Sequence, residues 1–186
     1  MIPASARAAL IQLTRKAIER AACGTDEPLH DLIEELSVYH HAGVFVTITI
    51  DGRLRGCIGH LNPATPLGDA VVIAAEGAAE RDFRFSPLAC EELPHTKIDI
   101  TLMEPMEPLH DPSEIVIGVH GLYIEDGFQR GILLPKVAFD HGWDAETFLA
   151  AVCRKAGLSE NTWHRPGVTL KKFSATVIST DFASPI

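Results

Sequence analysis

Several common signals of function are missing from this sequence of 186 residues. It has no phosphate-binding loop, serine nucleophile elbow, His-Glu-x-x-His motif or dinucleotide-binding fingerprint. No apolar run approaches 18 residues, so no transmembrane helix and no membrane partner are predicted. These absences exclude the enzyme classes that depend on those motifs, but they do not exclude enzymes in general.

Cysteine is scarce, and its copies are widely spaced. Cys23, Cys57, Cys90 and Cys153 form none of the Cys-x-x-Cys pairs that structural zinc sites use. The sequence also lacks the apolar segment of a secretory signal, and a disulfide framework is unusual in a protein that is not exported. We therefore expect a cytoplasmic protein with reduced thiols.

Positive charge is also limited, because the net charge is −9 and there is no basic run. A nucleic-acid partner is therefore not predicted. The hydrophobic fraction of 46% is that of a folded globular protein.

The clearest local pattern is a β-hairpin. Residues 44–50 are rich in β-branched side chains, Asp51-Gly52 is a strong turn signal, and residues 54–59 form the return strand. A second hairpin is predicted at residues 121–134, with its turn at Asp126-Gly127. The other predicted elements are a first helix before Cys23, helices at 29–36, after Thr65-Pro66 and at 144–156, and strands at 97–103 and 168–180.

Repeated hairpins interspersed with helices predict an α+β fold with antiparallel sheets. The proline-rich segment 104–108 is a candidate boundary between two lobes. We predict a larger lobe of residues 1–107 plus 167–186 and a smaller lobe of residues 108–166.

The return strand carries the main candidate for chemistry. Strict alternation places Arg55, Cys57 and Gly59 on one face. A guanidinium near a thiol favours a reactive thiolate, although most free cysteines are small buried side chains. Which face meets the core depends on the turn, since a slip of one residue reverses every side chain.

Two histidines are candidate bases for Cys57. His60 follows it by three residues, an odd separation that places the two on opposite faces unless Gly59 forms a bulge. His120 begins the second hairpin, where a turn residue bonded to the backbone is the alternative. Asp82 and Arg84 follow a helix end, where they either pin the turn as a salt bridge or line a cleft.

The return strand, Leu54-Arg55-Gly56-Cys57-Ile58-Gly59, resembles the hallmark hexapeptide of the AMMECR family, whose bacterial and archaeal members are called AmmeMemoRadiSam system protein A. The rest of the chain is similar to the family in the same order. The matching segments are Arg81–Leu88, His120–Leu122, Gly131–Pro135, Gly142–Asp144 and Cys153–Leu158. Phe83 and Lys136 depart from the family pattern, which more often has Pro and Gln there.

The resemblance implies two lobes, with the hexapeptide facing a cleft between them. It also implies Memo-type proteins and radical S-adenosylmethionine (SAM) proteins as partners in a shared pathway, with a peptide or small-molecule ligand. It identifies no reaction and implies no cofactor.

Three hypotheses follow. In the first, the protein is an enzyme in which Cys57 is the nucleophile, Arg55 stabilises charge and His60 or His120 moves protons, while Leu54, Gly56, Ile58, Gly59, Asp82 and Arg84 form the binding surface. In the second, the protein is a non-catalytic cleft protein that binds a peptide, or holds a peptide or small-molecule substrate for a radical SAM partner. In the third, Cys57 binds a metal with His60 or His120, although no metal motif is present and we predict no metal.

Overall fold

The computed structural model describes residues 2–185 and confirms the predicted α+β class. The chain forms two compact units, residues 1–102 with 176–186 and residues 103–175. The sequence predicted divisions after residues 107 and 166. Within the described residues, no helix is long and apolar enough to span a bilayer.

The first unit contains three helices, α1 to α3, and strands β1 to β3. Their bounds are α1 Ala4–Cys23, α2 His30–Leu36, β1 Gly43–Ile50, β2 Arg53–His60, α3 Leu67–Glu76 and β3 Thr96–Met103, whose last residue belongs to the second unit. A π-helical turn, Gly77–Arg81, extends α3, and a 3₁₀ turn, Cys90–His95, precedes β3. The final strand, β7 (Thr169–Asp181), contributes its last residues to this unit.

In the sheet of the first unit, the strand order is β2-β1-β3-β7, so β2 lies at an edge. Helices α1 and α3 bury their apolar stripes with the inner face of β1. Their shared core includes Leu10, Leu13, Ile18, Val71, Val46 and Ile48, none of them more than 1% exposed. This packing holds the hairpin that carries Cys57.

The second unit has its own apolar core around Leu122, Phe148 and Val152. Its elements are β4 Glu107–Pro108, β5 His120–Asp126, β6 Gln129–Leu133, α4 Pro135–His141, α5 Ala145–Lys155 and the first part of β7. Strand β5 pairs with both β6 and β7 in antiparallel fashion, which confirms the second hairpin. Asp144 caps α5 through the Thr147 N–H, as its position predicts.

The first hairpin is also confirmed, with one local difference. Asp51 and Gly52 both have positive φ, as a two-residue turn of this kind requires. Ile50 faces Arg53 and Thr49 faces Leu54, but Ile48 then faces Gly56, so Arg55 is an extra residue in β2. This β-bulge shifts the register for the rest of the strand.

The expectation of four reduced thiols is wrong for two of them. Cys23 and Cys90 form a disulfide with their Cα atoms 4.8 Å apart. They are 67 residues apart in the chain, and only the fold brings the end of α1 to the start of the 3₁₀ turn. Cys57 and Cys153 are free.

Candidate functional site

The bulge at Arg55 decides which way Cys57 points. With the register set by the turn, Cys57 would face Val46, a fully buried core residue. After the bulge it faces Thr47 instead, and its side chain is partly exposed. The Thr47 hydroxyl lies 3.3 Å from the Cys57 Sγ and donates to it. The bulge therefore turns the thiol from the core face to the outer face.

Asp82 and Arg84 brace the backbone of Cys57. The Cys57 N–H donates to Asp82 Oδ2 at 2.8 Å. The Arg84 guanidinium donates to both oxygens of the same carboxylate, at 2.9 and 2.7 Å, and its Nη2 lies 3.5 Å from the Cys57 carbonyl oxygen. The Asp82 side chain is only 4% exposed, whereas that of Arg84 is 41% exposed.

The charges of this pair reinforce each other. The hydrogen bond from Arg84, helped by the backbone N–H groups of Cys57 and Arg84, lowers the pKa of Asp82 to about 2 against the opposing effect of burial. The hydrogen bond to Asp82 raises the pKa of Arg84, and the nearby Cys57 adds a smaller contribution in the same direction. The guanidinium also lies 5.5 Å above the centre of the Phe85 ring. The pair is therefore ionised at neutral pH.

The Asp82–Arg84 pair takes the place of a neighbouring strand. Since β2 is an edge strand, its backbone groups directed away from β1 have no partner strand among the described residues of this unit. At Cys57 these groups meet a carboxylate and a guanidinium instead. A ligand strand cannot pair with Cys57 while this brace is in place, so access is to the face with the thiol.

Arg55 is held in a different network. Its Nε and Nη2 donate to the two carboxylate oxygens of Glu92, both at 2.8 Å. Its Nη1 and Nη2 also donate to the carbonyls of Ser86 and Pro87, at 2.8 and 3.1 Å. The hydrogen bond with Glu92 raises the pKa of Arg55 and lowers that of Glu92. The guanidinium thus clamps the bulge residue to Glu92 and to the backbone at Ser86 and Pro87.

Gly56 and Ile58 face the core side of β2. A Cβ on Gly56 would lie 2.0 Å from the Ala78 carbonyl oxygen, so only glycine fits beneath the π-helical turn. Ile58 packs on the core and against Gly77. On the outer face, a Cβ on Gly59 would lie 2.2 Å from the Phe45 ring. Of the six hexapeptide residues, Leu54 presents an apolar side chain to solvent, with 41% exposed.

The two candidate histidines each make a contact within their own unit. His60 lies on the core side of β2, opposite Val44, and its Nε2 is 2.9 Å from the Thr65 hydroxyl. His120 belongs to the second unit, where its Nδ1 accepts the Val116 N–H at 3.1 Å. That contact is the backbone-bonded turn role considered for His120 from the sequence.

An open depression of about 540 Å³ lies beside Arg55 on the first unit. It is lined by Ile50, Asp51, Arg53, Leu54, Arg55 and Glu92. Among the residues from 2 to 185, no cluster of three or more His, Cys, Asp or Glu side chains could hold a metal ion.

Sequence reasoning missed Thr47 and Glu92. Thr47 could be identified as the neighbour of Cys57 only from the shifted register, and no residue type in the strand predicts the bulge. Glu92 precedes Pro94 in a short acidic turn, and no local spacing relates it to Arg55. Sequence reasoning did identify Asp82 and Arg84, and in the structure they form a salt bridge whose carboxylate also accepts the Cys57 N–H.

Comparisons with known proteins identify a family and several proteins that are similar to this chain. The AMMECR1 family profile matches residues 11–178. An archaeal protein from Methanothermobacter thermautotrophicus is 39% identical over 183 residues, covering 92% of this chain and 93% of its own. A protein from Nanoarchaeum equitans is 38% identical, covering 92% and 99% respectively.

A solved structure gives the same result at the level of the fold. The crystal structure of uncharacterized protein PH0010 from Pyrococcus horikoshii matches with a TM-score of 0.83 and 36% identity, over 92% of this chain and 90% of that one. A profile match over most of the length, together with relatives of this identity and coverage, establishes the family. The chain belongs to the AMMECR1 family.

Proposed function

We propose that the first unit is the catalytic part of an enzyme in which Cys57 is a thiolate nucleophile and Arg84 is its neighbouring cation. The observation that carries the proposal is the brace at Cys57: a buried carboxylate holds the backbone N–H of a residue whose thiol is partly exposed. A rigid strand thus presents a soft nucleophile in one orientation.

Arg84 takes the role that the sequence suggested for Arg55. The four hydrogen bonds of Arg55 are directed to Glu92, Ser86 and Pro87. Arg84 uses Nε and Nη2 for its contacts within the brace, and its Nη1 has no hydrogen-bond partner among residues 2–185. This N–H group can bind a carboxylate or phosphate of the substrate next to the thiol.

The chemical step is a nucleophilic attack. The Cys57 thiol gives its proton to solvent, and Sγ forms a bond with an electrophilic centre of the substrate. The bond to the leaving group breaks with its electron pair, and the leaving group takes a proton from water. The Thr47 hydroxyl, which donates to Sγ, stabilises the anionic sulfur before attack. By family resemblance, the proposed partners are Memo-type and radical SAM proteins of the cytoplasm.

Site-resolved alkylation tests this proposal. Labelling of Cys57 by iodoacetamide, followed by mass spectrometry from pH 5 to 9, should be faster than that of Cys153 and persist to lower pH. Cys153 is the internal control because it is fully buried, and burial raises its pKa. Arg84→Gln should slow the labelling of Cys57, whereas Arg154→Gln, at an exposed arginine paired with Glu160, should not.

Two results would overturn the proposal. One is a Cys57 that reacts no faster than Cys153 across the pH range. The other is a Cys57→Ser variant with wild-type activity in an assay reconstituted from purified Memo-type and radical SAM partners.

A second function, non-catalytic binding of a partner or substrate, has one observation in its favour. Phe83 lies between Asp82 and Arg84 with 96% of its surface exposed. An exposed aromatic residue is a common anchor in protein interfaces. This function predicts that Phe83→Ser weakens binding of the purified partner in calorimetry while Cys57→Ser does not. Phe128→Ser, at a fully exposed phenylalanine of the second unit, is the matched control.

A further inference from the structure

The Cys23–Cys90 disulfide joins two segments that differ in exposure. Cys23 is the last residue of α1 and is partly buried, whereas Cys90 begins the 3₁₀ turn and is exposed. Thiol–disulfide exchange requires that the attacking thiolate reach one sulfur in line with the bond. Because the Cys90 residue is the more exposed of the two, we assign Cys90 as the residue attacked and Cys23 as the leaving group.

The turn at Cys90 has few other attachments. Its first residues, within the segment 89–92, lie between Leu88 and Leu93, which are both buried and 4% exposed. Between these two anchors, Ala89, Cys90 and Glu91 are exposed. In the described part of the chain, two ties beyond this turn hold the segment: the disulfide, and the Glu92 carboxylate that binds Arg55.

Glu92 connects this turn to the strand with the thiol. Its carboxylate accepts from Arg55 and also from the Ala89 N–H at 2.8 Å, just before Cys90. Arg55 is the bulge residue of β2, two positions before Cys57. A displacement of the turn therefore acts first on the carboxylate that orients the bulge residue.

We propose that the Cys23–Cys90 disulfide is a thiol–disulfide exchange site for a dithiol reductant, and that its reduction releases the clamp between Glu92 and Arg55. The effect on Cys57 rests on the proposed function, whereas release of the clamp does not. Leu88 and Leu93, on either side of residues 89–92, stay in the core, so the loosening is confined to those four residues.

A dithiol reduces the disulfide in two thiol–disulfide exchange steps. A thiolate of the reductant attacks Cys90 Sγ, the bond to Cys23 Sγ breaks, and Cys23 leaves as a thiolate that takes a proton. The second thiolate of the reductant then attacks the reductant sulfur that is bonded to Cys90 in the mixed disulfide. This step releases Cys90 as a thiolate, which also takes a proton. Two electrons and two protons pass to the protein, and the reductant becomes a disulfide.

Hydrogen–deuterium exchange of the whole chain tests the clamp. The oxidised protein is compared with the same protein in dithiothreitol, a dithiol of the proposed class. Reduction should speed exchange in the peptide covering residues 86–95 by about tenfold, while peptides from α5 in the second unit are unchanged. Unchanged exchange at 86–95 would overturn the proposal, because the disulfide would then be a passive link.

Two controls sharpen the result. The double variant Cys23→Ser, Cys90→Ser should exchange at 86–95 as fast as the reduced protein, and dithiothreitol should not change its rate. Glu92→Gln should speed exchange at 86–95 in the oxidised protein. Loss of protection throughout α1 and β1 on reduction would also overturn the proposal, since the disulfide would then stabilise the whole unit rather than one turn.

Alkylation of Cys57 separates this inference from the proposed function. The oxidised and reduced proteins, freed of reductant under argon, are labelled with iodoacetamide. A changed labelling rate at Cys57 together with faster exchange at 86–95 supports both ideas. Faster exchange with a Cys57 that is unreactive in both redox states supports the exchange site and overturns the nucleophile.

Discussion

The Asp82 carboxylate accepts a hydrogen bond from the Cys57 backbone N–H at 2.8 Å, although the two residues lie on different elements of the first unit. The contact satisfies a backbone donor on an edge strand, which no other strand within residues 2–185 pairs on that side. The contact also places the negative charge of Asp82 where it is almost completely shielded from water. Arg84 compensates this buried charge by donating hydrogen bonds to both oxygens of the carboxylate. The brace therefore depends on all three groups together.

Asp82→Asn should lower the free energy of unfolding by about 2 kcal/mol, because hydrogen bonds to a buried charge contribute more than neutral ones. The amide keeps the size of the side chain but presents only one oxygen to two donor residues. Urea denaturation followed by circular dichroism measures the change. Asp140→Asn, which removes an exposed pair with Lys136, is the control and should stay within about 0.5 kcal/mol. Equal effects of the two substitutions would contradict a special role for Asp82.

Acid should remove the contribution of Asp82. Its pKa is lowered to about 2 in the folded protein, below the value of about 3.9 expected in the unfolded chain. A lowered folded-state pKa stabilises the protein above the unfolded value, and this stabilisation disappears as the pH falls from about 4 to about 2. The difference in unfolding free energy between the wild type and Asp82→Asn should therefore be constant from pH 7 to 5 and shrink below pH 4. A difference that is independent of pH down to 2.5 would show that the carboxylate charge is not involved.

The sequence predicts those features of the structure that depend on residues close together in the chain. Asp51-Gly52 and the β-branched residues before it specify the hairpin, because turn geometry and strand pattern are local. The bulge at Arg55 has no such signal, yet it determines whether Cys57 faces Val46 or Thr47. Strict alternation predicted that Arg55 and Cys57 share a face, but it could not predict that the Arg55 guanidinium binds Glu92, Ser86 and Pro87.

Contacts between distant segments explain the other differences. The Cys23–Cys90 pair and the Arg55–Glu92 pair each join residues that only the complete fold brings together. Asp82 and Arg84 could be identified because polar residues directly after a helix end are rarely core. Their contact with Cys57, 25 residues earlier, could not.

Arg55 should act on stability through its forked contact with Glu92. Arg55→Lys keeps the charge but loses the bidentate geometry, so we expect a loss of about 1–2 kcal/mol in unfolding free energy. Glu92→Gln should cost a similar amount, and the double variant should cost less than the sum because the two substitutions remove the same contact. Urea denaturation of the four proteins measures this coupling. Strict additivity would mean that the two side chains do not interact in solution.

Gly56 and Gly59 provide a comparison within one strand. A Cβ at Gly56 would lie 2.0 Å from the Ala78 carbonyl oxygen and 3.1 Å from its carbon, which belong to the backbone of the π-helical turn. The three atoms nearest to a Cβ at Gly59 all belong to the ring of Phe45, a partly exposed side chain rather than backbone. Gly56→Ala should therefore cost at least about 3 kcal/mol or prevent folding, whereas Gly59→Ala should cost about 1 kcal/mol. Soluble yield and urea denaturation of the two variants measure the difference. A Gly56→Ala protein as stable as Gly59→Ala would mean that the turn after α3 does not pack directly on the strand that carries Cys57.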